Sequence, residues 1–194
     1  MSSFPSVSIQ LPEWLQREVR PGVRYASIEE RMRFVISLAQ RNVDYSTGGP
    51  FGAAVFERDS GVLIAPGVNR VEVELCSIAH AESVAIMVSQ QVLQTFNLGA
   101  PHLPALELVT SSQPCIQCFG NIWWSGVRRV VTGTSIEQTT EIGGFDEGPV
   151  PSNWAELLRT KQPPERAVEV IEGVLAQESC QVLASYVKKG GVRY

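Results

Sequence analysis

The chain has 194 residues, of which 44% are apolar and 19% charged, with a net charge of -4. This suits one compact domain, excludes a disordered chain and a coiled coil, and argues against a broad polyanion-binding surface while leaving room for a local basic patch. The longest apolar runs fall short of the ~18 residues of a membrane span, and the start MSSFPSVSIQLP lacks the basic and apolar stretches of a secretory signal, so the cytosol is the expected compartment.

Residues 1–26 read as an N-terminal arm with one short helix around 13–19. Ser27-Ile28-Glu29-Glu30 forms a capping box. Behind it Ile28, Met32, Val35, Ile36, Ala39 and Val43 recur at helical spacing, which predicts an amphipathic helix over 28–43. Gly48-Gly49-Pro50 ends it. Residues 52–57 and 62–66 read as a hairpin around Arg58-Asp59-Ser60-Gly61. A helix over 78–91, a loop over 97–104, a strand over 106–110, a helix over 116–125 and a strand over 128–132 follow. Residues 143–151 form a glycine- and proline-rich loop that carries acids; 167–172 read as a strand, and 175–188 as a closing helix stopped by Gly190-Gly191. This alternation predicts an α/β fold, a three-layer α/β/α sandwich around a mixed sheet, with 27–194 as a single domain. The basic pairs Arg128-Arg129 and Lys188-Lys189 read as solvated surface.

Two helix starts carry the chemistry, His80-Ala81-Glu82 and Pro114-Cys115-Ile116-Gln117-Cys118. A Cys-x-x-Cys pair outside a disulfide scaffold points to metal or redox work. Free N–H groups at a helix start favour thiolates. His80, Cys115 and Cys118 together supply a mixed N/S ligand set that suits one zinc ion, with a fourth position for a water whose pKa falls to about 7. Glu82 is placed to take that water's proton and pass it on. Two rival readings stay open. Cys76, four residues before His80, could complete a closed Cys3His site; a thioredoxin-like redox pair lacks its usual βαβ surroundings. His102 reads as a surface residue and Cys180 as a small packing group.

The order H-x-E…P-C-x-x-C is that of the zinc nucleobase deaminases. Over most of 45–150 the chain resembles the cytidine/deoxycytidylate deaminase superfamily, which implies a cytidine-deaminase-like fold. Gly48-Gly49-Pro50-Phe51-Gly52, Gly67-Val68-Asn69-Arg70, Ile122-Trp123-Trp124, Gly144-Phe145-Asp146-Glu147-Gly148 and Val192-Arg193-Tyr194 look like its guanine deaminase branch, whose bacterial members also accept amino-triazines such as ammeline. The resemblance implies zinc on His80, Cys115 and Cys118, and catalytic roles for Glu82 and Glu147. It implies that Phe51 and Trp124 stack on the base, that Asn69 hydrogen-bonds to it, that Ala81 lies against it and that Tyr194 closes the pocket. The implied reaction converts guanine to xanthine and ammonia. A segment of about 143–194 is implied to close the site and to be exchanged between the subunits of a homodimer. Many relatives carry Glu where Gln113 stands here.

The residues agree in part. Guanine presents N1–H and its 2-amino group side by side, and a carboxylate accepts both. The acidic pair Asp146-Glu147 suits that task and repels phosphate, which disfavours nucleotides and tRNA. The alternatives are another deaminase of the superfamily, acting on cytosine, a nucleoside or tRNA adenosine, and a non-catalytic module stabilised by zinc.

Overall fold

The computed structural model describes Phe4 and residues 6–193. Helix α1 (Glu13–Glu18) lays Trp14 and Leu15 against Leu38 and Val68 of the main body. Helix α2 (Ile28–Asp44) starts at the expected capping box: Ser27 Oγ accepts the Glu30 N–H at 3.1 Å, and the Glu30 carboxylate accepts the Ser27 N–H at 3.3 Å. Its Met32, Val35, Ile36, Ala39 and Val43 are buried, as their spacing predicts.

Strands β1 (Gly52–Glu57), β2 (Leu63–Val68), β3 (Leu106–Ser112), β4 (Arg129–Thr134) and β5 (Glu169–Ile171) form one sheet in the order β2-β1-β3-β4-β5. The β1 pairings are antiparallel, and β3-β4 and β4-β5 are parallel. Alternation along each strand divides the core in two. Ala53, Val55, Leu106, Leu108 and Val130 pack on one face with α3 (Ala81–Val92), α4 (Ile116–Ser125) and α6 (Trp154–Arg159). Ala54, Phe56, Val109 and Val131 pack on the other with α2 and α7 (Ala176–Lys188). The result is the three-layer α/β/α sandwich with a mixed sheet.

The sheet topology sets where a site can form. The register pairs Gly52 with Val68 and Ala53 with Thr110, and Ser112 with Thr134. The start of β1 and the ends of β2, β3 and β4 therefore share one edge. The connections to α3 and α4 leave from that edge, where ligands of α/β sheets usually bind.

Three elements differ from the sequence reading. Helix α3 begins at Ala81 rather than 78, because His80 is its N-cap and 71–79 are turns. The α6 helix is additional. Parallel β4 and β5 need a crossover, and α6 supplies it, with Trp154 and Leu158 buried. A short helix α5 (Ile136–Gln138) runs into a π-turn over Thr139–Gly143, which delivers the chain into the acidic loop.

Far from that edge, Glu107 of β3 is fully buried between Arg31 of α2 and Arg129 of β4. Arg129 Nε donates to Glu107 at 2.6 Å, and Arg31 donates to the other carboxylate oxygen and to the Tyr25 and Arg58 carbonyls. This network ties one helix layer to the middle of the sheet.

Candidate active site

Two helix starts converge at the sheet edge. His80 caps α3 in extended backbone. Cys115 caps α4, where its sulfur accepts the Cys118 N–H at 3.5 Å. His80 Nδ1 lies 3.5 Å from the Cys115 sulfur and 3.6 Å from that of Cys118. A bond from Asn121 Nδ2 to Ser83 Oγ, 2.7 Å long, holds the two helices in register. Pro114 sits just outside α4 rather than in its first turn. The first free amide of that helix, Ile116 N–H, donates at 3.0 Å to the Glu147 carbonyl.

The donor set fits zinc. One imidazole and two sulfurs form a compact, largely buried group, and Cys76 is not part of it. Three protein ligands are the complement of a catalytic zinc site rather than of a closed structural one. The charges around these ligands fit a cation as well. Hydrogen bonding from Cys118 and from His80 pulls the Cys115 thiol down to about 4. Burial opposes charge on His80, yet the bond to Cys115 and the Glu82 carboxylate outweigh it and raise the imidazole. Burial, reinforced by the Cys115 charge, raises Glu82; the same two effects push Glu147 up to about 8. Carboxyls raised beside a thiolate mark a centre that lacks positive charge.

His80, Cys115 and Glu82 line a cavity of about 270 Å³ together with Phe51, Asn69 and Glu147. Phe51 forms one wall and meets Phe145 edge to face, with ring centroids 4.9 Å apart. Asn69 is buried; its Oδ1 accepts the Val71 N–H at 3.2 Å, which leaves Nδ2 as its free donor. The loop of Asp146 and Glu147 closes the cavity from the chain's own 143–151 segment. Phe145, Ser112 and Ser77 also line it and were not singled out as site residues from sequence. Gly144-Phe145-Asp146-Glu147-Gly148 was the signal for Phe145. Ser112 and Ser77 carry no pattern of their own.

Two expected contacts fall elsewhere. Trp124 is 80% exposed and lines a separate depression with Ile78, Met87 and Phe96. Helix α4 buries Cys118, Ile122 and Ser125, and Trp124 projects from the opposite side of that face. Ala81 turns its methyl into the core with Val55 and Ala85 and does not line the cavity. Tyr194 lies outside the described residues.

Residues 26–134 match the cytidine and deoxycytidylate deaminase zinc-binding region. The fold superposes on NE0047 in complex with 2,6-diaminopurine with a TM-score of 0.89 and 44% identity, over 97% of this chain and 96% of that one. A structure of guanine deaminase from Nitrosomonas europaea aligns with a TM-score of 0.87 and 42% identity over 96% of this chain and 98% of that one. Guanine deaminase of Bacillus subtilis is 34% identical over 119 residues, which is 61% of this chain and 71% of the relative.

Proposed function

The chain belongs to the cytidine and deoxycytidylate deaminase family, and we propose that it is a zinc-dependent aminohydrolase that converts guanine and water to xanthine and ammonia, with amino-triazines such as ammeline as further substrates. The observation that carries this is one cavity lined by the His80 and Cys115 ligands, the buried Glu82 and half-buried Glu147 carboxyls, a phenylalanine wall and a free amide donor. The similarity to guanine deaminases over nearly the whole chain supports it.

His80, Cys115 and Cys118 would hold the zinc, which when bound lowers the pKa of water toward neutrality. Glu82 accepts a proton from the attacking water and delivers it to the ring nitrogen next to the amino-bearing carbon, C2 of guanine. Its buried position and raised pKa suit a carboxyl that must bind that proton and then release it. The proton of the new C2 hydroxyl then passes through Glu82 or Glu147 to the amino group; the C2–N bond breaks, the carbonyl forms and ammonia leaves. Glu147 lines the same cavity, and its carboxylate can accept hydrogen bonds from the base. Phe51 stacks on the base, and Asn69 Nδ2 donates to one of its acceptors.

The assembly we propose is a homodimer that exchanges the part of the carboxyl-terminal segment after residue 151, since the 143–151 loop closes its own chain's cavity. The compartment we propose is the cytosol; Cys76 and Cys180, outside the zinc ligand set and not in a disulfide, suit a reducing one. Among the described residues no helix is long and apolar enough to cross a membrane.

The test is ammonia release from guanine, ammeline, cytosine and nucleosides by protein of measured zinc content, with a low-salt gel shift on tRNA. Turnover of guanine without tRNA binding is expected. Turnover of cytosine or a nucleoside alone, or zinc with no ammonia from any base, would overturn the reading.

A further inference from the structure

We propose that Asn42 is a positioning residue for Asn69, holding the base-reading amide from outside the cavity through a closed ring of hydrogen bonds. The inference rests on the reading above, in which Asn69 touches the base.

Asn42 lies in the last turns of α2, fully buried, and is not a cavity-lining residue. Its Nδ2 donates at 2.9 Å to the Gly49 carbonyl and at 2.9 Å to the Asn69 carbonyl. Gly49 O also accepts the Phe51 N–H at 2.9 Å, and Phe51 O accepts the Asn69 N–H at 3.1 Å. One amide thus closes a ring through both segments that carry the base-contacting side chains. The fit is close: a Cβ on Gly48 would lie 1.9 Å from the Asn69 oxygen and 2.7 Å from Asn42 Nδ2.

The orientation of the Asn42 amide follows from the donors and acceptors around it. An indole N–H only donates. Trp14 Nε1 donates to Thr47 Oγ1 at 3.0 Å, the Thr47 hydroxyl donates its own proton to Asn42 Oδ1 at 2.8 Å, and the Gly49 and Asn69 carbonyls can only accept. That leaves Asn42 Nδ2 facing the two carbonyls. With its backbone held on both sides, Asn69 keeps Oδ1 on the Val71 N–H and Nδ2 free for the base. The N-terminal helix, through Trp14, is thereby coupled to the reader of the substrate. An apolar residue at 42 would leave the Asn69 carbonyl without this donor and the Gly49 carbonyl with the Phe51 N–H alone.

The test compares zinc-loaded wild type, N42A, N69A and the double variant with guanine, alongside calorimetric binding of 2,6-diaminopurine. N42A is expected to raise KM about tenfold, with kcat changed less than about threefold and zinc content unchanged, since one to two buried hydrogen bonds are at stake. In the N69A background the same substitution should cost at least about threefold less in KM, because its target is gone. Equal factors in both backgrounds, or an unchanged KM in N42A, would overturn the proposal. If N42A does not fold, T47V and T47S decide: T47V should raise KM and T47S restore it, and equal KM values for both would overturn it. Wild type that neither deaminates guanine nor binds 2,6-diaminopurine would remove the functional reading and this inference with it; active wild type with an unaffected N42A removes the inference alone.

Discussion

The Glu147 carbonyl accepts the Ile116 N–H at 3.0 Å, so the loop that carries one carboxyl of the cavity is fastened to the helix that carries the two sulfurs. Ile116 is the first residue of that helix, where proline is tolerated, and Cys115 before it is already extended. Ile116→Pro therefore removes this bond and leaves the helix intact. The expected result is full zinc content with kcat/KM for guanine lowered about five- to tenfold, the worth of one hydrogen bond. Steady-state kinetics with metal analysis checks it, and loss of zinc in I116P would show that the bond supports the metal site instead.

Glu82 is buried in the cavity beside the ligand His80. Glu82→Gln keeps its shape and removes its ability to carry a proton. Zinc should remain at one per chain while kcat falls by about 10²–10⁴. Chelating the metal from the wild type should abolish turnover, and added zinc should restore it. Retained turnover in zinc-loaded E82Q would take Glu82 out of its role.

The legible parts of this molecule were those in which a short local pattern carries its own physics. Ser27 and Glu30 announced the α2 start, the apolar run Ala53–Phe56 ahead of the Arg58-Asp59-Ser60-Gly61 turn announced a hairpin strand, and His80, Cys115 and Cys118 announced a cation site by ligand chemistry. What stayed hidden depends on contacts distant in sequence. Helix α6 is too short for a helical period to emerge, and it forms because Trp154 and Leu158 find the core beside β5. Asn42 reads as one polar residue on an amphipathic helix until the fold brings it to the Asn69 carbonyl. Trp124 follows Trp123 in sequence, yet only Trp123 packs inward, against Phe119, with Lys161 5.0 Å above its ring.

Glu107 bears two guanidinium partners in a fully buried setting. Glu107→Gln leaves Arg31, itself buried, without its counter-charge. Breaking one partner of such a network typically costs about 3–5 kcal/mol. Denaturant unfolding of E107Q should show a loss of that size, while kcat per bound zinc stays at the wild-type level because the network lies away from the cavity edge. A loss under about 1 kcal/mol would mean that Arg31 is satisfied by the Tyr25 and Arg58 carbonyls alone.

Glu147 also sets a pH dependence in the metal-free protein. Burial, with the Cys115 and Glu82 charges behind it, raises its carboxyl from 4.5 to about 8. A raised acid binds its proton more tightly folded than unfolded. Its contribution is therefore fully present below about pH 4.5 and is lost as pH climbs toward 8. Each unit inside that window is worth at most about 1.4 kcal/mol. The lowered Cys115 thiol runs the other way over the same window and gains stability as pH rises, so the Glu147 share is read as a difference: from pH 5 to pH 8, chelator-treated Glu147→Gln, which cannot ionise, should gain urea stability relative to chelator-treated wild type. Zinc should shrink that gain, since a cation among His80, Cys115 and Cys118 favours the ionised carboxylate. An unchanged slope in E147Q would place the pH dependence on another group, and Glu82, buried and raised by the same two causes, would be the next to replace.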